Sequence, residues 1–139
     1  MPNHYHLLVK QLRDNGIITF VSNIQNSFAK YFNTKHERSG SLFQNPFKSR
    51  WVGTTEDFMH VSRYIHLNPV TSYIVEVKNL NNYPFTSYPY YAQGKGANLL
   101  NTDFLLDIFG GSRKRYGEFV NDRVNYQREL ARIKSLIIE

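Results

Sequence analysis

His4–Tyr5–His6–Leu7–Leu8–Val9–Lys10 is a run of β-favouring residues too short for a helix, and reading it as a strand decides the fold class. Alternation along a strand puts His4, His6 and Leu8 on one face. Working outward, Ile17, Phe20, Val21, Ile24, Phe28, Tyr31 and Phe32 keep a helical spacing from Gly16 to about Lys35, with Asn23, Gln25, Asn26 and Lys30 on the outer face. His36–Gly40 is a polar link. Two short β-like pieces follow, around Ser41–Gln44 and Phe47–Val52, divided by Asn45–Pro46, and they predict a hairpin or an irregular ribbon. Thr54 or Thr55 can cap a helix whose first turn holds Glu56 and Asp57. That helix should run to about Leu67, because Pro69 disfavours helical geometry at Asn68. Residues 75–98, rich in Asn, Pro and Gly, read as a surface excursion with one helical turn around Thr86–Ala92. Asn101–Thr102–Asp103 caps a short helix to Phe109 that Gly110–Gly111 ends. From Arg113 to the end the pattern predicts a long charged helix with Tyr116, Phe119, Val120, Val124, Ile133 and Ile137 facing inward.

A chain of 139 residues suits one compact unit. Hydrophobic residues at 41% and charged residues at 20% are ordinary for a folded, non-membrane protein. The longest apolar runs are short and no signal-peptide pattern opens the chain, so a cytoplasmic location is expected. Cysteine is absent, which excludes disulfides, thiolate catalysis and cysteine-ligated zinc. The net charge of +6 and a pI near 9.6 favour a polyanionic partner. Ten Tyr and ten Phe offer many rings on which single-stranded bases can stack, although most serve a core. Phe43, Phe47 and Trp51, dispersed between charges, suit either use.

Two histidines at alternate positions of a strand project side by side, a spacing suited to two ligands of one metal ion and equally to surface or core imidazoles. On the helix from Thr55, Tyr64 and Asn68 lie one turn apart on one face. Phe58, Val61 and Ile65 form the adjoining apolar arc, which sets Tyr64 at the boundary between core and solvent. His60, a turn earlier, can be a ligand, a base or a solvated neighbour.

Met1–Leu8, the stretch Gly40–Gln44 with Phe47–Lys48, and Arg63–Tyr64–Ile65–His66–Leu67–Asn68–Pro69–Val70 resemble, in order and spacing, three signatures of the REP-associated tyrosine transposases. These are a branch of the single-tyrosine HUH transposases of the insertion-sequence type. Tyr83–Pro84–Phe85–Thr86–Ser87–Tyr88 is similar to an aromatic, serine-containing turn of the same family. The resemblance implies an α+β fold, an antiparallel sheet flanked by helices and ferredoxin-like in the intact family. Here it implies an N-terminally incomplete version, since relatives carry a strand, a helix and a further segment before the histidine strand. Residues 1–92 would form the transposase domain and 93–139 a helical C-terminal extension packed on the same unit.

The same resemblance assigns His4, His6 and Asn68 to a divalent metal, Mg²⁺ or Mn²⁺, and Tyr64 to nucleophilic attack on single-stranded DNA carrying a hairpin. The product is a 5′-phosphotyrosine and a free 3′-hydroxyl, and reversal transfers the strand, which is the chemistry of DNA transposition. Imidazole ligands suit Mn²⁺ at least as well as Mg²⁺. Arg38, Lys48, Arg50 and Arg63 flank these positions in sequence and are the candidate phosphate contacts. A homodimer is expected, because in the insertion-sequence branch the tyrosine helix can serve the histidine pair of the other subunit. The location implied is the cytoplasm, on the nucleoid. The alternative is a decayed or domesticated relative that binds DNA hairpins without cutting them.

Overall fold

The Thr54 hydroxyl accepts a hydrogen bond from the Asp57 amide at 3.1 Å, and a helix starts behind it. Glu56 and Asp57 in its first turn complement the helix dipole. In the computed structural model, which describes residues 3–44, 46–94 and 99–125, this helix (α2, Thr55–Thr71) belongs to a chain that divides into two compact units. One unit holds residues 1–7 and 52–139, the other residues 8–51.

In the second unit the main element is α1, Gly16–Lys35, as its apolar spacing predicts. Asn15 enters it in the left-handed conformation at φ 56°, which asparagine tolerates better than most residues. Val21 is buried, while Ile18, Phe20, Ile24, Phe28 and Tyr31 stay exposed. Past its end the chain folds back on the helix. The Asn33 amide donates to the Gly40 carbonyl at 2.9 Å, and Arg38 donates to Asn33 Oδ1 at 3.0 Å while lying over the Phe32 ring.

In the first unit α2 is followed by a 3-10 helix at Val77–Asn82, α3 (Tyr88–Gln93), α4 (Asp103–Ile108) and α5 (Arg113–Asn121). Leu67 and Val70 of α2 meet Leu80, Tyr88, Leu105, Leu106, Tyr116, Val120 and Val124 in one buried cluster. Gly110 and Gly111, at φ 65° and 72°, turn the chain from α4 into α5, and Ser112 caps α5 by accepting from the Arg115 amide. Arg113 Nη1 donates to the carbonyls of Tyr90 and Tyr91 at 2.9 Å each, satisfying the end of α3.

The antiparallel, ferredoxin-like sheet expected from the sequence is not found: the described residues contain helices and no strand. Neither His4–Lys10 nor the pieces around Ser41–Gln44 and Phe47–Val52 form a ladder. Alternating β-favouring residues report what a strand would tolerate, whereas a strand exists only through hydrogen bonds to a second segment. The α+β class is therefore corrected to helical over the described residues. A second correction concerns α2, which continues through Pro69 to Thr71. A proline there removes one amide and strains the preceding turn, but Leu67, Pro69, Val70 and Thr71 are all buried, and the Ser72 amide still reaches the Asn68 carbonyl. The predicted C-terminal helix is interrupted: α5 closes at Asn121, a turn occupies 122–123 and helix resumes at 124–125, while the remainder of the predicted helix, with Ile133 and Ile137, lies outside the described residues.

Candidate active site

α2 presents Tyr64 and Asn68 on one side, four residues apart, where its helical periodicity puts them. The first unit also contains the segment with His4 and His6, and the structure brings all four side chains together. The ring centroids of His4 and His6 are 5.1 Å apart, and those of His6 and Tyr64 are 5.5 Å apart, both edge to face. Asn68 Nδ2 lies 3.5 Å from His6 Nε2. Asn3 Oδ1 lies 2.8 Å from His4 Nδ1, where it can accept that nitrogen's proton. Tyr64 is 46% exposed while its ring packs edge to face against His6.

Burial, and after it the neighbouring His4, holds the proton affinity of His6 below the ordinary imidazole value. Its neutral form, the one that can donate a lone pair, is thereby favoured. Asn68 is only 6% exposed, and its Oδ1 is buried with no hydrogen-bond partner among the described residues. A half-turn of the amide exchanges Oδ1 and Nδ2, so the oxygen can be presented where His6 Nε2 points. Two imidazoles and one unsatisfied amide oxygen fit a divalent cation. Among the described residues no three His, Asp, Glu or Cys side chains cluster.

The four candidate phosphate contacts fall in different surroundings. Arg38, Lys48 and Arg50 are exposed and belong to the unit of residues 8–51. Arg63 belongs to α2, is only 7% exposed, and lies 4.1 Å from the Phe119 ring centre. It donates to the Phe119 carbonyl at 3.2 Å and to His60 Nδ1 at 2.8 Å. A guanidinium only donates, so His60 Nδ1 is the acceptor there and its other nitrogen faces Glu56 at 3.7 Å.

Behind this site lies a polar chain that the sequence reading missed. His66 Nε2 is 2.8 Å from Ser87 Oγ and His66 Nδ1 is 2.6 Å from Tyr116 Oη. Tyr116 donates to Ser62 Oγ at 3.3 Å, and Ser62 donates to the Met59 carbonyl at 2.8 Å. Burial pushes the pKa of His66 down to about 3 and that of the Tyr116 phenol up, so both are neutral. The available signal was that His66 and Ser87 each stand inside a quoted motif. Nothing local to either one announced that they meet.

Residues 1–68, just under half of the chain, match the family model described as "Transposase IS200 like", and every candidate site residue falls inside that span, with Asn68 the last. No curated protein and no solved structure matches the chain. None of the helices among the described residues is long and apolar enough to cross a membrane. The match thus spans the stretch that carries most of the motifs, and over residues 1–68 the chain is similar to the IS200-like transposases.

Proposed function

We propose that this protein cleaves single-stranded DNA beside a hairpin and rejoins strands, with Tyr64 as the nucleophile. The observation that carries this reading is the convergence of Tyr64 with His4, His6 and Asn68 in one unit, His6 lying between the tyrosine ring and the buried amide. Tyr64 Oη attacks the phosphorus, the bond from phosphorus to the 3′ oxygen breaks, and the 5′ phosphate becomes an ester of the tyrosine. The phenolic proton passes to solvent and the departing 3′ oxygen takes one up. Attack by another 3′-hydroxyl re-forms a phosphodiester and frees Tyr64, so the ester bond is conserved and no nucleotide is consumed.

A phenol with a pKa of about 10 is a weak nucleophile at neutral pH and needs help. Mg²⁺ or Mn²⁺ held by His4, His6 and Asn68 would polarise the phosphoryl oxygen and stabilise developing charge. Burial of His6 favours its neutral form, and Asn68 supplies an oxygen that no described residue hydrogen-bonds. Arg38, Lys48 and Arg50 carry charge for the phosphates, and Trp51, 87% exposed, offers a stacking face for a base. Arg63, 7% exposed and bonded to Phe119 and His60, offers little surface to a phosphate. The homodimer stays part of this reading, supported by the apolar side chains that α1 leaves exposed.

The test is a hairpin-bearing single strand incubated with Mn²⁺ and run on a denaturing gel. Wild type should yield a covalent adduct, and Tyr64→Phe should bind the DNA equally well and yield none. An adduct that persists in Tyr64→Phe would remove Tyr64 from the role. Binding without any adduct in the wild type would favour the non-cutting hairpin binder.

A further inference from the structure

We infer that the buried chain Ser87–His66–Tyr116–Ser62 is a positioning device that fixes the roll of α2 and thereby aims Tyr64 and Asn68; this rests on those two acting as proposed above.

Its hydrogen-bond order follows from counting protons. Ser62 has one, and it goes to the Met59 carbonyl at 2.8 Å. Tyr116 has one, which Ser62 Oγ accepts at 3.3 Å. The short 2.6 Å contact between Tyr116 Oη and His66 Nδ1 then takes its proton from the ring. His66 Nε2 is left as an acceptor for the Ser87 hydroxyl at 2.8 Å. Every donor has an acceptor and all the bonds point the same way, an arrangement in which each bond polarises the next. Reversing the ring tautomer would turn the Tyr116 proton toward the imidazole and leave Ser62 Oγ without a donor.

Ser62 and His66 lie one turn apart on α2, while His66 stands two residues from both Tyr64 and Asn68, about 200° around the axis from each. Holding one face of the helix therefore sets the direction of the other. Tyr116 is fully buried and comes from α5, and Ser87 comes from the aromatic, serine-containing turn ahead of α3. The helix is thus held from two separate elements. Side chains reach about 6 Å from a helix axis, so a roll of roughly 20° would move the reacting groups by about 2 Å. An ångström of misplacement can lower a rate by about a hundredfold.

Two variants test this, Tyr116→Phe in the buried centre and Ser87→Ala at the half-buried end. In wild type, ¹⁵N spectra should show His66 neutral and protonated at Nδ1; an Nε2-protonated or doubly protonated ring overturns the chain. In both variants, without metal or DNA, the ring resonances of His6 and Tyr64 should shift. The single-turnover rate of adduct formation should fall by about ten- to a hundredfold with DNA affinity unchanged, and Ser87→Thr should restore it. Unmoved His6 and Tyr64 resonances beside a lowered melting temperature would make the chain structural only. If wild type forms no adduct, the functional reading fails, and the resonances still decide the positioning role. Should Tyr116→Phe not fold, Ser87→Ala decides alone.

Discussion

His66 is buried between two hydroxyls and, among the described residues, no counter-charge meets it, which makes the fold sensitive to acid through one residue. Its pKa is about 3 in the folded protein, against an ordinary value of 6.5 that the unfolded chain regains. Below pH 6.5 the unfolded state takes up a proton that the folded state refuses. The neutral-state stability is therefore complete above pH 6.5 and is lost as the pH falls toward 3, at about 1.4 kcal/mol per pH unit. Between pH 7 and pH 5, urea denaturation should show wild type losing about 2 kcal/mol more than His66→Gln. Equal losses would show that another group governs the acid response. The convergence of His4, His6, Tyr64 and Asn68 was legible in the sequence, because a two-residue spacing, a four-residue spacing and the two motifs at Met1–Leu8 and Arg63–Val70 single them out. His66 was not, since its burial depends on Tyr116 and Ser87, which are distant along the chain and adjacent only in the fold.

Among the elements, α2 carries the site and its start depends on one hydroxyl. Thr54→Ala removes the acceptor for the Asp57 amide, and denaturation should show a loss of about 1 kcal/mol. No measurable loss would mean that solvent caps the helix as well. Starts and stops of this kind are local chemistry, which is why α1, the start of α2, α4 and the glycine turn after α4 stand where the sequence reading puts them. The 3-10 helix at Val77–Asn82 escaped that reading because its anchor, Leu80, is a single buried apolar residue in a polar, asparagine-rich stretch. The sheet failed for the opposite reason. A run such as His4–Lys10 has the composition of a strand, but composition carries no information about pairing. Pro69 shows the same limit in a helix, where burial of Leu67, Val70 and Thr71 outweighs a local breaker.

At the scale of the whole molecule, the net charge of +6 sets how the protein should respond to salt. If Arg38, Lys48 and Arg50 each contact a phosphate, the log–log slope of affinity against salt should be about −2 on single-stranded DNA. Trp51, the only tryptophan, supplies the signal, since stacking on a base would quench its fluorescence. Lys48→Ala should flatten the slope by about 0.7, and a flat response in the wild type would return these cations to solvent. The buried Oδ1 of Asn68 also has a consequence for heat resistance. An acceptor shut away from water and left unpaired costs about 1–3 kcal/mol, so the metal-free fold sits below its own ceiling of stability. Asn68→Leu, similar in size and free of the unmet need, should melt a few degrees higher than wild type in the absence of metal. Added Mn²⁺ should raise the melting temperature of wild type and leave the variant unmoved. A variant that melts lower than wild type would mean that the oxygen is not a frustrated contact. On this view the protein tolerates a weak point at rest, and its ligand is what anneals it.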